Sequence, residues 1–448
     1  MNRRHFLSLT AAAPFARAAR QPNILVILAD DLGWGELGCQ GNPQIPTPHI
    51  DSIATKGVRF TQAYVTAPFC CPSRAGLITG RYQTRFGHEL NAIGKVNLDP
   101  KVGLPLTERT LADHLKALGY ATACIGKWHL GGAAQYHPQK RGFDEFYGFL
   151  HEGHFFAAPP YKGMNTRLRV NEPPYDDENP VMRGTQPVTE PEYLTQAITR
   201  EAVSFIERNA SRPFFLYLPY NAVHSPMQAP TAAVRKFNGI GDEHRQLFAG
   251  MLAELDAGVG AVLSKIRSLG LENDTLVIFL SDNGGPTQEL TSSNAPLRGG
   301  KGQLYEGGLR VPFLLQWTGT VPSGQTIGEP IIATDIVPTA IAAAGGRAPA
   351  NMDGVDLFPA VTGKAALGKR PFFWRMGRSI AWRNGEWKLV RMTPPRSTKA
   401  GQFELFNLAE DPSEQRDLAS GRPEVVARLR AELDAMNAQM VPPRWGAA

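Results

Sequence analysis

Asn23-Ile24-Leu25-Val26-Ile27-Leu28-Ala29, running into Asp30-Asp31-Leu32-Gly33, is the stretch that decides the fold. An apolar run of this kind reads as a strand buried on both faces of a parallel sheet, and it stops abruptly at two carboxylates. In open α/β sheets ligands bind at the carboxyl ends of the strands, and adjacent carboxylates there repel one another unless a cation neutralises them. The pattern recurs downstream, where Thr275-Leu276-Val277-Ile278-Phe279-Leu280 runs into Ser281-Asp282-Asn283-Gly284-Gly285. Asp30, Asp31, Asp282 and Asn283 together make an all-oxygen donor set, suited to a hard ion such as Ca²⁺ or Mg²⁺ and lacking the His and thiolate content of a zinc site. For either pair alone, an Asp capping the next helix or turn is the plainer reading.

Working outward, two more apolar runs end in polar residues. Ala121-Thr122-Ala123-Cys124-Ile125-Gly126 delivers Lys127-Trp128-His129, and in extended chain the first and third side chains share a face, so both can point at one anion. Phe214-Phe215-Leu216-Tyr217-Leu218 leads to Ala222-Val223-His224-Ser225-Pro226. Helical patterns over residues 47–57, 107–119, 189–209 and 245–269 alternate with these strands, which is the order of an α/β domain. Residues 135–191 read as a long functional loop region, whose His151, Glu152 and His154 could reach a substrate's leaving group, although solvated loop residues are the plainer reading.

The segment Phe69-Cys70-Cys71-Pro72-Ser73-Arg74-Ala75-Gly76-Leu77-Ile78-Thr79-Gly80-Arg81 carries the nucleophile chemistry. Pro72 disfavours a helical Cys71, so a helix is expected just after it, with Ser73 as a cap candidate and Cys70 near its start. Free N–H groups there attract an anion, and Arg74 adds a planar fork of donors. The order Cys-x-Pro-Ser-Arg followed by Leu77-x-Thr79-Gly80-Arg81 resembles the signature of the type I sulfatases, in which the first Cys is oxidised to formylglycine, whose hydrated aldehyde is the nucleophile. That resemblance assigns conversion to Cys70 and leaves Cys71 without a role. It also implies one Ca²⁺ held by Asp30, Asp31, Asp282 and Asn283 close to residue 70, and reads Lys127, His129 and His224 as sulfate-binding or proton-handling residues. Arg298-Gly299-Gly300-Lys301-Gly302 matches the family's Gly-Lys-Gly-x-x-Tyr-Glu-Gly-Gly segment through Gly308, with glycines that let the backbone approach an anion and Lys301 as a mobile cation. The expected fold is the family's alkaline-phosphatase-like α/β architecture: a mixed, mostly parallel sheet flanked by helices, with a smaller C-terminal sheet-and-helix subdomain.

The chain has 448 residues and 42% hydrophobic composition, enough to bury a large core. Arg3-Arg4 before a short apolar run, with Ala16-Arg17-Ala18 as a cleavage site, reads as a twin-arginine export leader over residues 1–18. The run is too short for a membrane anchor, so no stable membrane insertion is expected. Without the leader's arginines the formal charge of +6 falls to about +3, which implies no nucleic-acid partner. Once Cys70 is converted, Cys39, Cys71 and Cys124 allow at most one disulfide. The expected organisation is a leader at 1–18, a catalytic domain at 22–362 and the subdomain at 363–448.

The expected activity is hydrolysis of sulfate monoesters, on a sulfated saccharide or aryl sulfate, by an exported protein of the periplasm or exterior. Its partners would be a formylglycine-generating maturation enzyme and the twin-arginine export machinery. The alternatives are a phosphonate or phosphate diester hydrolase on the same scaffold, and a non-catalytic relative that binds sulfated glycan. Loss of the metal is expected to leave Asp30, Asp31 and Asp282 uncompensated.

Overall fold

The computed structural model describes residues 21–170, 172–173, 175–394 and 400–446. The export leader lies outside the described residues. The Asn23–Ala29 strand is central in a ten-stranded sheet and fully buried. Leu25 and Ile27 enter the core on one face, and Ile24, Val26 and Leu28 enter the core on the other. This two-sided burial is why the run has no polar alternation.

From one edge the strand order is Gln325–Ile327, Val58–Phe60, Phe313–Gln316, Thr275–Ser281, Asn23–Ala29, Phe214–Pro219, Ala121–Lys127, Glu145–Phe149, Met182–Arg183 and Gln186–Pro187. The five consecutive strands from Thr275–Ser281 to Glu145–Phe149 are all parallel, and antiparallel pairing appears toward both edges. Helices Pro48–Thr55, Leu194–Arg208 and Glu243–Ser268 contribute to the core on one face, and Leu111–Ala117 and Ile336–Ala343 to that on the other. The Glu243–Ser268 helix is long and apolar enough to span a membrane, but Leu252, Leu255, Val259 and Val262 are fully buried against the sheet side of the core.

Two helix starts differ from expectation. The helix at the Cys-Cys segment spans Cys70–Thr79, so it begins before Pro72. Pro72 is tolerated because it lies in the first turn, where its missing N–H has no intrahelical partner to lose. Ser73 is therefore inside the helix, its N–H donating to the Phe69 carbonyl at 3.1 Å. The cap comes from outside: Asn91 Oδ1 accepts the Cys71 N–H at 3.0 Å. The helix expected over residues 107–119 is shortened to Leu111–Ala117, because Thr110 and Asp113 form a reciprocal capping box.

Beyond the large sheet, Phe372–Met376, Ser379–Asn384, Trp387–Arg391 and Glu404–Asn407 form an antiparallel four-stranded sheet, covered by the helix Pro423–Asn437. Its core is shared: Tyr64, Leu304, Tyr305 and Leu309 pack in one cluster with Trp374, Phe406 and Leu429. All four cysteines are free thiols.

Candidate active site

The strand order brings distant segments to one sheet edge. Asp282, Asp30, His224 and Lys127 follow, or close, four neighbouring parallel strands, and backbone bonds tie the strand ends together: Asp282 N–H to the Ala29 carbonyl at 3.1 Å, Asp30 N–H to the Ala222 carbonyl at 3.0 Å. Asp31 turns out of line with φ of +61°, a left-handed conformation open to Asp, so successive carboxylates converge instead of alternating.

The carboxylates are already paired. Lys127 Nζ lies 2.6 Å from Asp30 Oδ2, Lys301 Nζ 2.7 Å from Asp31 Oδ2, and Arg74 Nη2 2.8 Å from Asp282 Oδ2 and 3.4 Å from Asp30. Three side-chain cations thus face three acids, which corrects the expectation that these groups are uncompensated without a metal. Burial works to raise Asp31, but Lys301 and then His224 outweigh it and hold the carboxyl at about 2. Asp282 goes the other way, lifted to about 6 by burial and then by Asp30, against the pull of Arg74 and Lys127. Burial also pushes the Cys70 thiol well up.

Arg74 does not offer its fork to a ligand. Its Nε donates to Asp282 at 2.9 Å and its Nη1 to the Lys127 carbonyl at 2.8 Å, and the side chain is fully buried. Cys70 Sγ is 3.5 Å from Asp30 Oδ1, whereas Cys71 Sγ meets His88 Nε2 at 2.9 Å in a separate buried contact. His129 is reached through a positive φ of +54°, so Lys127-Trp128-His129 is not extended as expected. Its Nε2 bonds the Ala92 carbonyl at 2.8 Å and its buried Nδ1 has no partner among the described residues. His224 Nδ1 donates to the Ser225 carbonyl at 2.5 Å, since a carbonyl only accepts. Burial, followed by Lys301 and Lys127, holds that imidazole down at about 3, which leaves a lone pair on Nε2, 3.6 Å from Asp31.

A metal fits this cluster. Asn283 Nδ2 donates to Asp31 Oδ1 at 2.7 Å while its buried Oδ1 has no partner among the described residues, an orphan acceptor of the kind an oxygen-seeking cation satisfies. Single donor atoms of Asp30, Asp31, Cys70 and His224 lie within 4.8 Å of one another. His224 belongs to this group, although its sequence context pointed to the anion instead. Asp282 has both oxygens engaged, Oδ1 accepting the Asp31 N–H at 3.2 Å and Oδ2 facing Arg74.

Cys70, His224 and Lys301 open into a cavity of about 670 Å³ whose walls include Phe69, Asn91, Glu152, Arg169, Tyr175 and Glu289. Asn91, Arg169, Tyr175 and Glu289 were invisible to sequence reading, because no local pattern marks a loop residue that folds over a distant strand end. His151, Glu152 and His154 are buried rather than solvated. Glu152 accepts from Gly94 N and Asn97 Nδ2, each at 2.8 Å, so it fastens the loop over the nucleophile segment. The glycines of the Lys301 segment also let chain pass closely against chain: a Cβ at Gly300 would meet the Gly285 carbonyl at 2.5 Å, and one at Gly308 the Gln303 carbonyl at 2.0 Å.

The family model for sulfatases matches residues 22–346, and the model for the C-terminal region of N-sulphoglucosamine sulphohydrolase matches residues 300–439. The chain belongs to the sulfatase family, the sulfuric ester hydrolases. It is 34% identical to the steryl-sulfatase of Mus musculus over 95% of this chain and 82% of the relative. It is 38% identical to the N-acetylgalactosamine-6-sulfatase of Canis lupus familiaris over 84% of this chain and 73% of the relative. The solved structure of Ps i-CgsB in complex with k-i-k-neocarrahexaose superposes with a TM-score of 0.86 at 34% identity, covering 96% of this chain and 95% of that one. The sulfatase fold seen here thus extends through the four-stranded sheet.

Proposed function

We propose that this sulfatase is an exported, Ca²⁺-dependent enzyme that removes sulfate from a sulfated saccharide, with residue 70 converted to formylglycine by a maturation enzyme. The observation that carries the reading is the placement of Cys70 on the floor of the 670 Å³ cavity, 3.5 Å from Asp30, with Lys301 and His224 in the same wall. The site volume suits a sugar unit, and the relatives named for N-acetylgalactosamine-6-sulfate and the complex with a carrageenan-type oligosaccharide support a saccharide substrate. On this reading the chain divides into a leader at 1–18, a catalytic part at 22–362 and a C-terminal subdomain at 363–448.

Asp30, Asp31, Asp282 and Asn283 would hold the Ca²⁺, with residue 70 beside it. When present, the ion and the formylglycine supply Lewis acidity and a geminal-diol nucleophile for the sulfur centre. The chain's own groups do the rest. Lys301 binds sulfuryl oxygens from the cavity wall, and Lys127 adds charge from behind Asp30. Arg74 keeps Asp30 and Asp282 aimed at the ion. Of the two residues read as donors to the leaving oxygen, the Lys127 ammonium is the one that holds a proton, whereas neutral His224 lines the cavity with the Nε2 lone pair and acts there as an acceptor. His129, buried behind Lys127, is the base that assists release of sulfate.

Initial rates on matched aryl sulfate and aryl phosphonate esters test the bond cleaved, and a panel of defined sulfated oligosaccharides tests the substrate class. Sulfate esters should turn over at least ~100-fold faster, about 3 kcal/mol of preference. Faster phosphonate cleavage would assign the scaffold to the rival hydrolase, and tight glycan binding with no turnover of mature protein to the non-catalytic reading.

A further inference from the structure

Lys301 reaches Asp31 from a turn that belongs to no helix or strand, so something else must hold it in place. On one side the turn leans on the nucleophile segment, with Gly302 N–H donating to the Pro68 carbonyl at 2.9 Å. On the other side it is clamped by the four-stranded sheet. The Arg298 guanidinium stacks 3.8 Å from the Tyr305 ring centre, closing the turn on itself. That same group bonds Glu404 Oε2 and the Glu414 carbonyl, each at 3.1 Å, while the Tyr305 hydroxyl donates to the other Glu404 oxygen. Leu304 N–H reaches Met392 Sδ at 3.3 Å. Just beyond, Glu306 N–H donates to Glu414 Oε2 at 2.6 Å, and Lys388 Nζ bridges Glu306 and Glu414 at 2.9 Å to each.

We propose that Arg298 and Glu404 are positioning residues for Lys301, so that the C-terminal sheet sets how tightly the site holds a sulfuryl group. This rests on the reading that Lys301 binds sulfuryl oxygens. A lysine on a slack turn loses the anion's competition with solvent, because ordering its long side chain costs free energy each time it binds. Arg298 and Glu404 are both partly exposed, so replacing them strands no charge in the core and leaves the fold intact.

The test is a double-mutant cycle read by calorimetric binding of inorganic sulfate to full-length protein with calcium present. Arg298→Ala should weaken sulfate by ~5–10-fold when Lys301 is present and by less than ~2-fold in a Lys301→Ala background; Glu404→Gln should show the same dependence with a smaller effect. Equal weakening in both backgrounds, or none with Lys301 present, would overturn the positioning role. Failure of the functional reading would show separately, as mature wild-type protein that hydrolyses no sulfate ester.

Discussion

Cys70 and Cys71 share a helix start and full burial, yet their sulfurs meet different chemistry. Cys70 faces the acids and the cavity; Cys71 packs onto His88, whose imidazole is held down at about 3, first by burial, so that it stays neutral. Trypsin releases residues 60–74 as one peptide, and in protein matured alongside a formylglycine-generating enzyme its fragment ions should place the aldehyde at 70 and an intact thiol at 71. Cys70→Ala should fold and show no turnover. Cys71→Ala should keep most activity and lose about 1–2 kcal/mol, the usual cost of a small core deletion with a buried partner left over. An aldehyde at 71 would defeat the assignment. Motif spacing separated these two residues in the sequence, but the partner of Cys71 was not legible, because His88 has no pattern of its own. Likewise Asp30 and Asp31 were legible as a pair, while the left-handed turn that makes them converge was not.

Strands were read closely because two-sided burial leaves a continuous apolar run, and Asn23–Ala29 and Thr275–Ser281 appear where that run predicts. Helix ends were less legible, since Asn91 caps the nucleophile helix from outside its own segment. Least legible was the join between the sheets, where burial raises the Glu414 carboxyl to about 7, Lys388 pulling it down and Glu306 pushing it up. A carboxyl whose folded pKa exceeds its unfolded value near 4.5 binds more protons when folded, so its stabilising contribution is full below about 4.5 and lost as pH rises through about 7. Denaturant unfolding across that window should show this as a falling component of up to about 3 kcal/mol in the wild type. Glu414→Gln should flatten it. An identical pH slope in the variant would mean that Glu414 does not titrate there.

At the scale of the whole molecule, the site exists only because the topology sets Asp31 beside Asp282, 251 residues apart. The sequence showed each acid at a strand end but not the order of the strands, and so not which cations would stand among them. Those cations change what metal removal should do. With Lys127, Arg74 and Lys301 already against Asp30, Asp282 and Asp31, stripping the ion does not leave naked like charges in the core. Chelated protein should therefore remain folded, with unchanged far-ultraviolet circular dichroism, while sulfate-ester turnover falls to background. Readdition of Ca²⁺ should restore turnover and raise the melting temperature by simple linkage, about 2.7 kcal/mol at a hundredfold excess over Kd. The Asn283 Oδ1 gives a sharper check, since Asn283→Ala should cut the calcium-dependent gain itself, measured against the variant's own chelated form, whose melting temperature falls because the buried bonds to Asp31 and Gly284 are lost. Unfolding on chelation would show that the three cations do not balance the acids, and full activity in metal-free protein would remove the metal from the site altogether.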